Sequence, residues 1–322
     1  MESGFRIRGL VTDNHADNVA AFKILLKNYP GDNETYFQMP DADNKTYVFF
    51  DTVHLVKNLR NNLLHAKKFV FPEFKFEVGG TIIKANEGYL SWRDIHKIYD
   101  KDSTLNGNLR KAPKLTYRAL HPGNNKQNVN LALTIFHETT IAACQSYFPL
   151  RNDMSQFLKL ISTWWNIANI NRRYSANPLE NAIVNDDGKL QFYEELAQWV
   201  EEWCKCPNFC LSKQTGNAFV LTLRSQAKLI RDLLSEGYDF VLTRRLQSDP
   251  IENRFSQYRS MSGGRFLVSL REVKTSERIL TCRSLLKAGV DYWEEKDENH
   301  CSNSEAISVF MEKLHLFTFK LK

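Results

Sequence analysis

Twice within its N-terminal quarter, the sequence places a short apolar segment, an aspartate and an amphipathic helix in that order. Residues 5–12 (FRIRGLVT) are typical of a strand that ends just before Asp13, and residues 47–50 (YVFF) are typical of a buried strand that ends at Asp51. Apolar residues at helical spacing follow each aspartate. This repeated order of strand, acid and helix predicts an α/β fold. In such folds, functional residues commonly lie at the ends of strands.

Beyond this region the pattern becomes helical. From about residue 89 to residue 238, apolar residues recur at helical spacing, and the intervening loops are rich in Pro, Gly and Asn. Two further helices are predicted after residue 249, and the last 30 or so residues are first polar and then apolar. We therefore expect a self-contained helical block after the α/β segment, followed by these two helices.

Composition limits the classes of function. The chain has 322 residues, 43% of them hydrophobic, and a net charge of +6, which permits nucleic acid as a partner without demonstrating it. No stretch approaches the roughly 18 apolar residues of a membrane span. Six cysteines in this length indicate free thiols rather than a disulfide scaffold, and Cys204, Cys206 and Cys210 have no standard zinc spacing.

The segment LQSDPIENRFSQYR has two interpretations. Asp249, Pro250 and Glu252 suit the cap, the first position and the third position of a helix. Ile251, Phe255 and Tyr258 would then form its apolar stripe. Alternatively, Glu252 holds a metal ion, because enzymes that cut DNA with two Mg²⁺ ions need two or three carboxylates around them.

Asp51 and His54 leave the same choice open, since Asp51 is an equally good helix cap. Two groups of basic residues are typical of solvated surfaces but also suit a phosphate backbone. The first group comprises Lys57, Arg60, Lys67 and Lys68, and the second comprises Arg244, Arg245, Arg254, Arg259 and Arg265.

Four stretches of this sequence resemble the P-element-type transposases, including the THAP-domain transposases and their domesticated relatives. They are GFRIRGLVTDNHADNVAAF, YVFFDTVHLVKNLRNNLL, KLTYRALHPGNNKQNVNLA and GYDFVLTRRLQSDPIENRFSQYRSMSGGRF, in the order and at about the spacing that the family has. The resemblance implies a partial RNase H-like core, a mixed sheet with flanking helices, interrupted by a largely helical insertion. The implied division is 1–85 and 241–290 for the core, 86–240 for the insertion and 291–322 for a C-terminal tail.

The resemblance also implies DNA cleavage and strand transfer by a DDE-type mechanism that depends on Mg²⁺ or Mn²⁺. Asp13 matches the second aspartate of the family, Glu252 matches its late glutamate, and Asp51 is the alternative second acid. The partner implied is DNA at transposon ends, and the location implied is the nucleus. The candidates for DNA contact are Lys57, Arg60, Arg245, Arg254 and Arg259.

In the P-element transposase, the insertion binds GTP. The nearest counterparts here are Lys126, Val129, Asn166 and Asn169, with Asn166 standing where an aspartate that reads guanine is expected.

The main departure from the family concerns its first catalytic aspartate. In the family this residue lies well upstream of the VTDN strand, and the sequence has no counterpart of it. The THAP zinc finger and the coiled coil after it also lack a counterpart, and any homo-oligomer would depend on that region. We therefore expect an N-terminally truncated transposase that is inactive alone. The alternative is a domesticated protein that binds DNA or a protein partner without catalysis.

Overall fold

The computed structural model describes residues 6–31, 34–40, 44–105 and 109–297. The chain forms two compact units, Met1–Ser248 and Asp249–Lys322. Helices and short sheets are mixed along the chain, which confirms the predicted α/β class. Of the expected C-terminal tail, residues 298–322 lie outside the described residues.

The first unit begins with a three-stranded sheet in the order β1-β3-β2. Strand β1 (Gly9–Thr12) runs parallel to β3 (Thr46–Phe50), and β2 (Tyr36–Phe37) runs antiparallel to β3. Helix α1 (Ala16–Asn28) follows β1, and α2 (Thr52–His65) follows β3. Both predicted units of strand, acid and helix are therefore present.

Strand β3 is apolar after Thr46 because both of its faces are covered. Its five residues are all buried. Val48 and Phe50 face the main hydrophobic core, whereas Tyr47 and Phe49 pack in a second cluster that contains Leu229. A near-continuous apolar strand is what burial on both faces requires.

Residues 69–90 form strands that the sequence analysis did not predict. Helix α2 ends at His65, and Phe69 packs its ring against Trp203 at 5.5 Å. The pairs are antiparallel, and the turn of the second pair is made by Gly79 and Gly80 at positive φ. The strands are β4 (Phe69–Phe71) paired with β7 (Gly88–Leu90), and β5 (Phe74–Val78) paired with β6 (Thr81–Ala85).

Helices dominate the rest of the first unit, as predicted. This unit includes both the residues expected to start the core and those expected to form the insertion, and the division at residues 85 and 240 remains a prediction. The helices are α3 (Trp92–Ser103), α4 (Tyr117–Leu120), α5 (Val129–Ile135), α6 (Glu138–Tyr147), α7 (Asn152–Ala168), α8 (Lys189–Trp203) and α9 (Lys213–Ser235).

In the second unit, the structure describes two helices, α10 (Asp249–Met261) and α11 (Leu270–Asp297). Gly263 and Gly264, both at φ +76°, make the turn after α10. No helix among the described residues of either unit combines the length and the apolar character needed to cross a membrane.

Candidate catalytic carboxylates

Asp13 and Asp51 lie at the carboxyl ends of two neighbouring parallel strands. Thr12 of β1 is paired with Phe50 of β3, and each aspartate is the next residue along its strand. The backbone amide of Asp51 donates a hydrogen bond of 2.8 Å to the carbonyl of Thr12. Since paired strands lie about 4.8 Å apart, the two acids leave the sheet at one edge.

The Asp13 carboxylate is half-buried and only partly engaged. Its Oδ1 accepts hydrogen bonds from the backbone amide of His15 at 3.1 Å and from Nδ2 of Asn18 at 2.6 Å. These bonds fix the turn into α1. The second oxygen, Oδ2, has no hydrogen-bond partner among the described residues, so it remains available to a ligand.

The Asp51 carboxylate is almost fully buried, with 1% exposure. It caps α2, because Oδ1 accepts a hydrogen bond of 2.9 Å from the backbone amide of Val53. This confirms the cap interpretation. Its Oδ2 accepts a hydrogen bond from the hydroxyl of Ser248. Both oxygens of this side chain therefore have a structural partner.

The chain segment that ends at Ser248 is tightly held within the first unit. The Thr243 hydroxyl donates to the carbonyl of Ile167 at 2.5 Å. Gln247, which is 3% exposed, donates from Nε2 to the Thr52 hydroxyl at 2.9 Å and to the carbonyl of Ala168 at 3.0 Å. Sequence reasoning did not single out Gln247 or Ser248, although short polar side chains before a helix start were the available signal.

Two of the residues expected to contact DNA are buried. Lys57 is 7% exposed and Arg60 is 0% exposed. Nη2 of Arg60 donates to the carbonyl of Lys126 at 2.8 Å and its Nε to Asn61 at 2.9 Å. Burial lowers the pKa of the Arg60 guanidinium. This corrects the expectation for both residues, because neither presents its charge to a phosphate on the surface. Lys67 and Lys68 are exposed.

The four residues compared with a GTP site fall at two places in the first unit. Lys126 is held to α2 through its carbonyl, and Val129 begins α5. Asn166 lies near the end of α7, and Asn169 accepts a hydrogen bond from Gln247 at 3.5 Å. No hydrogen bond joins these two places among the described residues, and GTP binding remains a prediction.

Glu252 belongs to the first turn of α10 in the second unit and is exposed. In that unit, Arg254 forms an ion pair with Glu277 at 2.6 Å, and the Tyr258 hydroxyl donates to the same carboxylate. Tyr258 is buried, whereas Phe255 stays 50% exposed and Ile251 stays 57% exposed. The predicted apolar stripe of α10 is therefore buried only at Tyr258.

The other two arginines predicted to contact DNA belong to different units. Arg245 is exposed and lies in the first unit, and Arg259 is half-buried and lies in the second. Neither forms an ion pair among the described residues. Their contact with DNA remains a prediction.

Comparison with known proteins identifies a fold but no family. No family model matches the chain, and no curated protein matches it. Among solved structures, the fold is similar to that of the Drosophila P element transposase strand transfer complex, with a TM-score of 0.66 and 19% sequence identity. The match covers 85% of this chain and 59% of the transposase chain. A P-element-type transposase fold is thus supported independently of the sequence motifs.

Proposed function

We propose that this chain carries part of an RNase H-like, metal-dependent core for DNA strand cleavage and transfer, as in P-element-type transposases. The observation that carries the proposal is the placement of Asp13 and Asp51 at adjacent strand ends of a fold similar to such a transposase. The family resemblance assigns the remaining carboxylate to Glu252. The substrate class would be duplex DNA.

The chemistry of the two strand-end acids fits Mg²⁺ or Mn²⁺. These ions prefer oxygen ligands, and Asp13 has one carboxylate oxygen that accepts no hydrogen bond from any described residue. Each Asp51 oxygen accepts one hydrogen bond, and a carboxylate oxygen has about two acceptor positions. When bound, paired ions would activate the attacking hydroxyl and stabilise the leaving oxygen. Asp51 would be held in place for this role by Val53 and Ser248.

Only two of the three family acids have a counterpart in the matching motifs: the second aspartate, matched by Asp13 with Asp51 as the alternative, and the late glutamate, matched by Glu252. We therefore expect the chain by itself to bind divalent metal and DNA without cutting or joining strands. Two carboxylates can retain a metal ion, but the paired ions of this chemistry need a fuller ligand set.

A second candidate is a domesticated protein that binds DNA without catalysis. The observation that favours it is the engagement of Asp51, whose two oxygens already serve the α2 cap and Ser248. These two structural roles would require the Asp51 carboxylate even in a protein that binds no metal. In this case, exposed cations such as Arg245 would supply the affinity through phosphate contacts.

The experiment that separates the two candidates is a DNA-binding titration with and without Mn²⁺. Fluorescence anisotropy of a labelled duplex would be measured from about 50 to about 300 mM KCl. If the carboxylates hold metal against the phosphate, Mn²⁺ strengthens binding, and Asp51→Asn or Glu252→Gln removes that gain. The exposed Asp239 provides a matched control as Asp239→Asn.

The non-catalytic candidate gives a different result. Binding then weakens steeply with salt, gains nothing from Mn²⁺ and survives Glu252→Gln. A chain that binds no DNA under either condition contradicts both candidates. Cleavage or joining of DNA by the isolated chain contradicts the expectation that two matched acids are insufficient.

A further inference from the structure

A cleft of about 540 Å³ lies between the second half of α2 and the first turn of α9, next to the residue that follows Asp13. Five of its lining residues are amides, and its lining contains no Asp, Glu, Lys or Arg. The cleft is thus polar but uncharged. The amides are Asn14, Asn58, Asn61, Asn62 and Gln214.

The sequence of α2 builds one wall of this cleft. Asn58, Asn61, Asn62 and His65 are spaced at i, i+3, i+4 and i+7, so they lie on one helix face. The opposite face carries the buried apolar residues of α2. A helix needs polar residues on its solvent side, but three amides and a histidine without one charged residue are an unusual choice for that purpose.

Some of these polar groups join the walls of the cleft. Oδ1 of Asn62 accepts a hydrogen bond of 3.0 Å from the backbone amide of Ser212, the N-cap of α9. On the other side, Nε2 of Gln214 donates to the carbonyl of Asn14 at 2.7 Å. These bonds fix α9 and the loop after β1 relative to α2, so the cleft has a defined shape.

Other polar groups that line the cleft take no part in these bonds. The side chains of Asn58 and His65 make no hydrogen bond among the described residues, and neither does Nδ2 of Asn61, whose Oδ1 accepts from Arg60. Asn58 and Asn61 are half-buried. The cleft therefore offers donors and acceptors in fixed positions that no other described residue uses.

The chemistry of the lining selects the ligand. Neutral amides carry no charge to neutralise a phosphate, but they pair with the edges of nucleobases, and Asn and Gln are the usual partners of adenine. The volume lies within the range of small-ligand sites. Beside the cleft, Lys213 is exposed and has no ion pair among the described residues, so it can hold the phosphate of a nucleotide whose base enters.

We propose that this cleft binds one unstacked nucleotide of a DNA strand, with its base against Asn58 and Asn61 and its phosphate near Lys213. The proposal rests on the proposed function, because Asn14 joins the cleft to Asp13 and a strand at the carboxylates would pass the cleft. The residues compared with a GTP site, Lys126, Val129, Asn166 and Asn169, do not line it.

The test uses the full chain in the presence of EDTA, so that metal at the carboxylates does not contribute. Labelled single-stranded oligonucleotides would carry adenine, thymine or an abasic site at one central position. The wild-type chain should bind the adenine strand at least about fivefold more tightly than the abasic strand. In Asn58→Ala/Asn61→Ala this preference should disappear, whereas the exposed Asn185→Ala should retain it.

A measurement on the wild-type chain covers the case in which the double variant does not fold. A 2-aminopurine at the central position should brighten on binding, because its base leaves the stack. Strand binding without base preference, preference retained by the folded double variant, or no brightening would overturn the cleft proposal and leave the proposed function standing.

Two further outcomes separate the sources of the ligand. Competition by deoxyadenosine monophosphate at the concentration at which the strand binds would overturn the assignment to a DNA strand, since a free nucleotide would suffice. A chain that binds neither duplex nor single-stranded DNA would overturn the proposed function, and the cleft proposal with it.

Discussion

Asp13 and Asp51 leave neighbouring parallel strands at the same level, because Thr12 is paired with Phe50 and the amide of Asp51 donates to the carbonyl of Thr12. The two carboxylates nevertheless differ in their surroundings. Asp51 is buried with both oxygens engaged, whereas Asp13 keeps one oxygen without a hydrogen-bond partner in the part of the chain that the structure describes. Asp13 is therefore the acid whose function is the easier to isolate by mutation.

The Asp102 carboxylate is the most heavily bonded buried acid of the helical block. It accepts hydrogen bonds from the Tyr147 hydroxyl at 2.8 Å, from the amides of Lys111 and Ala112 at 2.6 and 3.1 Å, and from Arg110 at 3.1 Å. Asp102→Asn should lower the free energy of unfolding by about 3 kcal/mol, because it leaves donors unpaired and a guanidinium without its counter-charge. Urea denaturation measures this loss.

The same carboxylate gives a pH signature. Burial tends to raise the pKa of Asp102, but the hydrogen bonds from Tyr147, Lys111, Ala112 and Arg110 outweigh it and hold the pKa below its ordinary value. This stabilisation is present above the unfolded pKa of about 4 and is lost as the pH falls through the folded pKa. Asp102→Asn should therefore lose less stability than wild type in acid. If acid lowered the stability of Asp102→Asn by as much as that of Asp239→Asn, this expectation would be contradicted.

Gln226 on α9 is an orphan polar side chain in the core. It is 1% exposed, and neither its Oε1 nor its Nε2 has a hydrogen-bond partner among the described residues. Gln226→Met keeps the length of the side chain and removes the unpaired amide, so the free energy of unfolding should rise by about 1 kcal/mol. Gln226→Glu should lower it, since a charge would be buried there. A Met variant less stable than wild type would show that the amide has an unseen partner.

Histidine burial predicts a loss of stability on mild acidification. Burial lowers the pKa of His96, and the nearby His121 lowers it further against the opposing charge of Asp100. The folded state thus disfavours the protonated ring, and stability should fall as the pH goes from about 7 to about 5. His96→Gln should reduce this fall. The exposed His15, as His15→Gln, serves as the control, and equal effects of the two variants would contradict the assignment.

The parts of the fold that the sequence predicted are those in which local pattern and tertiary structure agree. Strand β3 has no polar residue after Thr46, and both of its faces are buried. Asp51 has the chemistry of a cap and acts as one. In both cases, the structure favoured by the local sequence is the same as that favoured by long-range packing.

The misses arise where long-range packing decides. The strands between residues 69 and 90 are short, and they depend on partners such as Trp199 and Trp203 that lie more than a hundred residues away. Arg60 was assigned to a basic surface, yet it lies four residues after Val56 on the apolar face of α2. Its burial was readable from helical spacing, whereas its hydrogen bond to the carbonyl of Lys126 was not.

The carboxylate pair was likewise only partly predictable. Strand ends placed Asp13 and Asp51 at one edge of the sheet, but sequence spacing could not reveal that Ser248 binds Asp51 from 197 positions away. Because of that contact, both oxygens of Asp51 have a structural partner.

The most direct test of the account is a calorimetric titration of the purified chain with Mn²⁺. We expect a saturable Mn²⁺ site, and Asp13→Asn should weaken its affinity by at least about tenfold, since one of its few ligand oxygens is replaced by an uncharged amide. Asp17→Asn, at an exposed acid four positions along the chain, should leave the affinity unchanged. Absence of a Mn²⁺ site in the wild-type chain, or equal affinity in Asp13→Asn, would contradict a metal-binding role for the strand-end carboxylates.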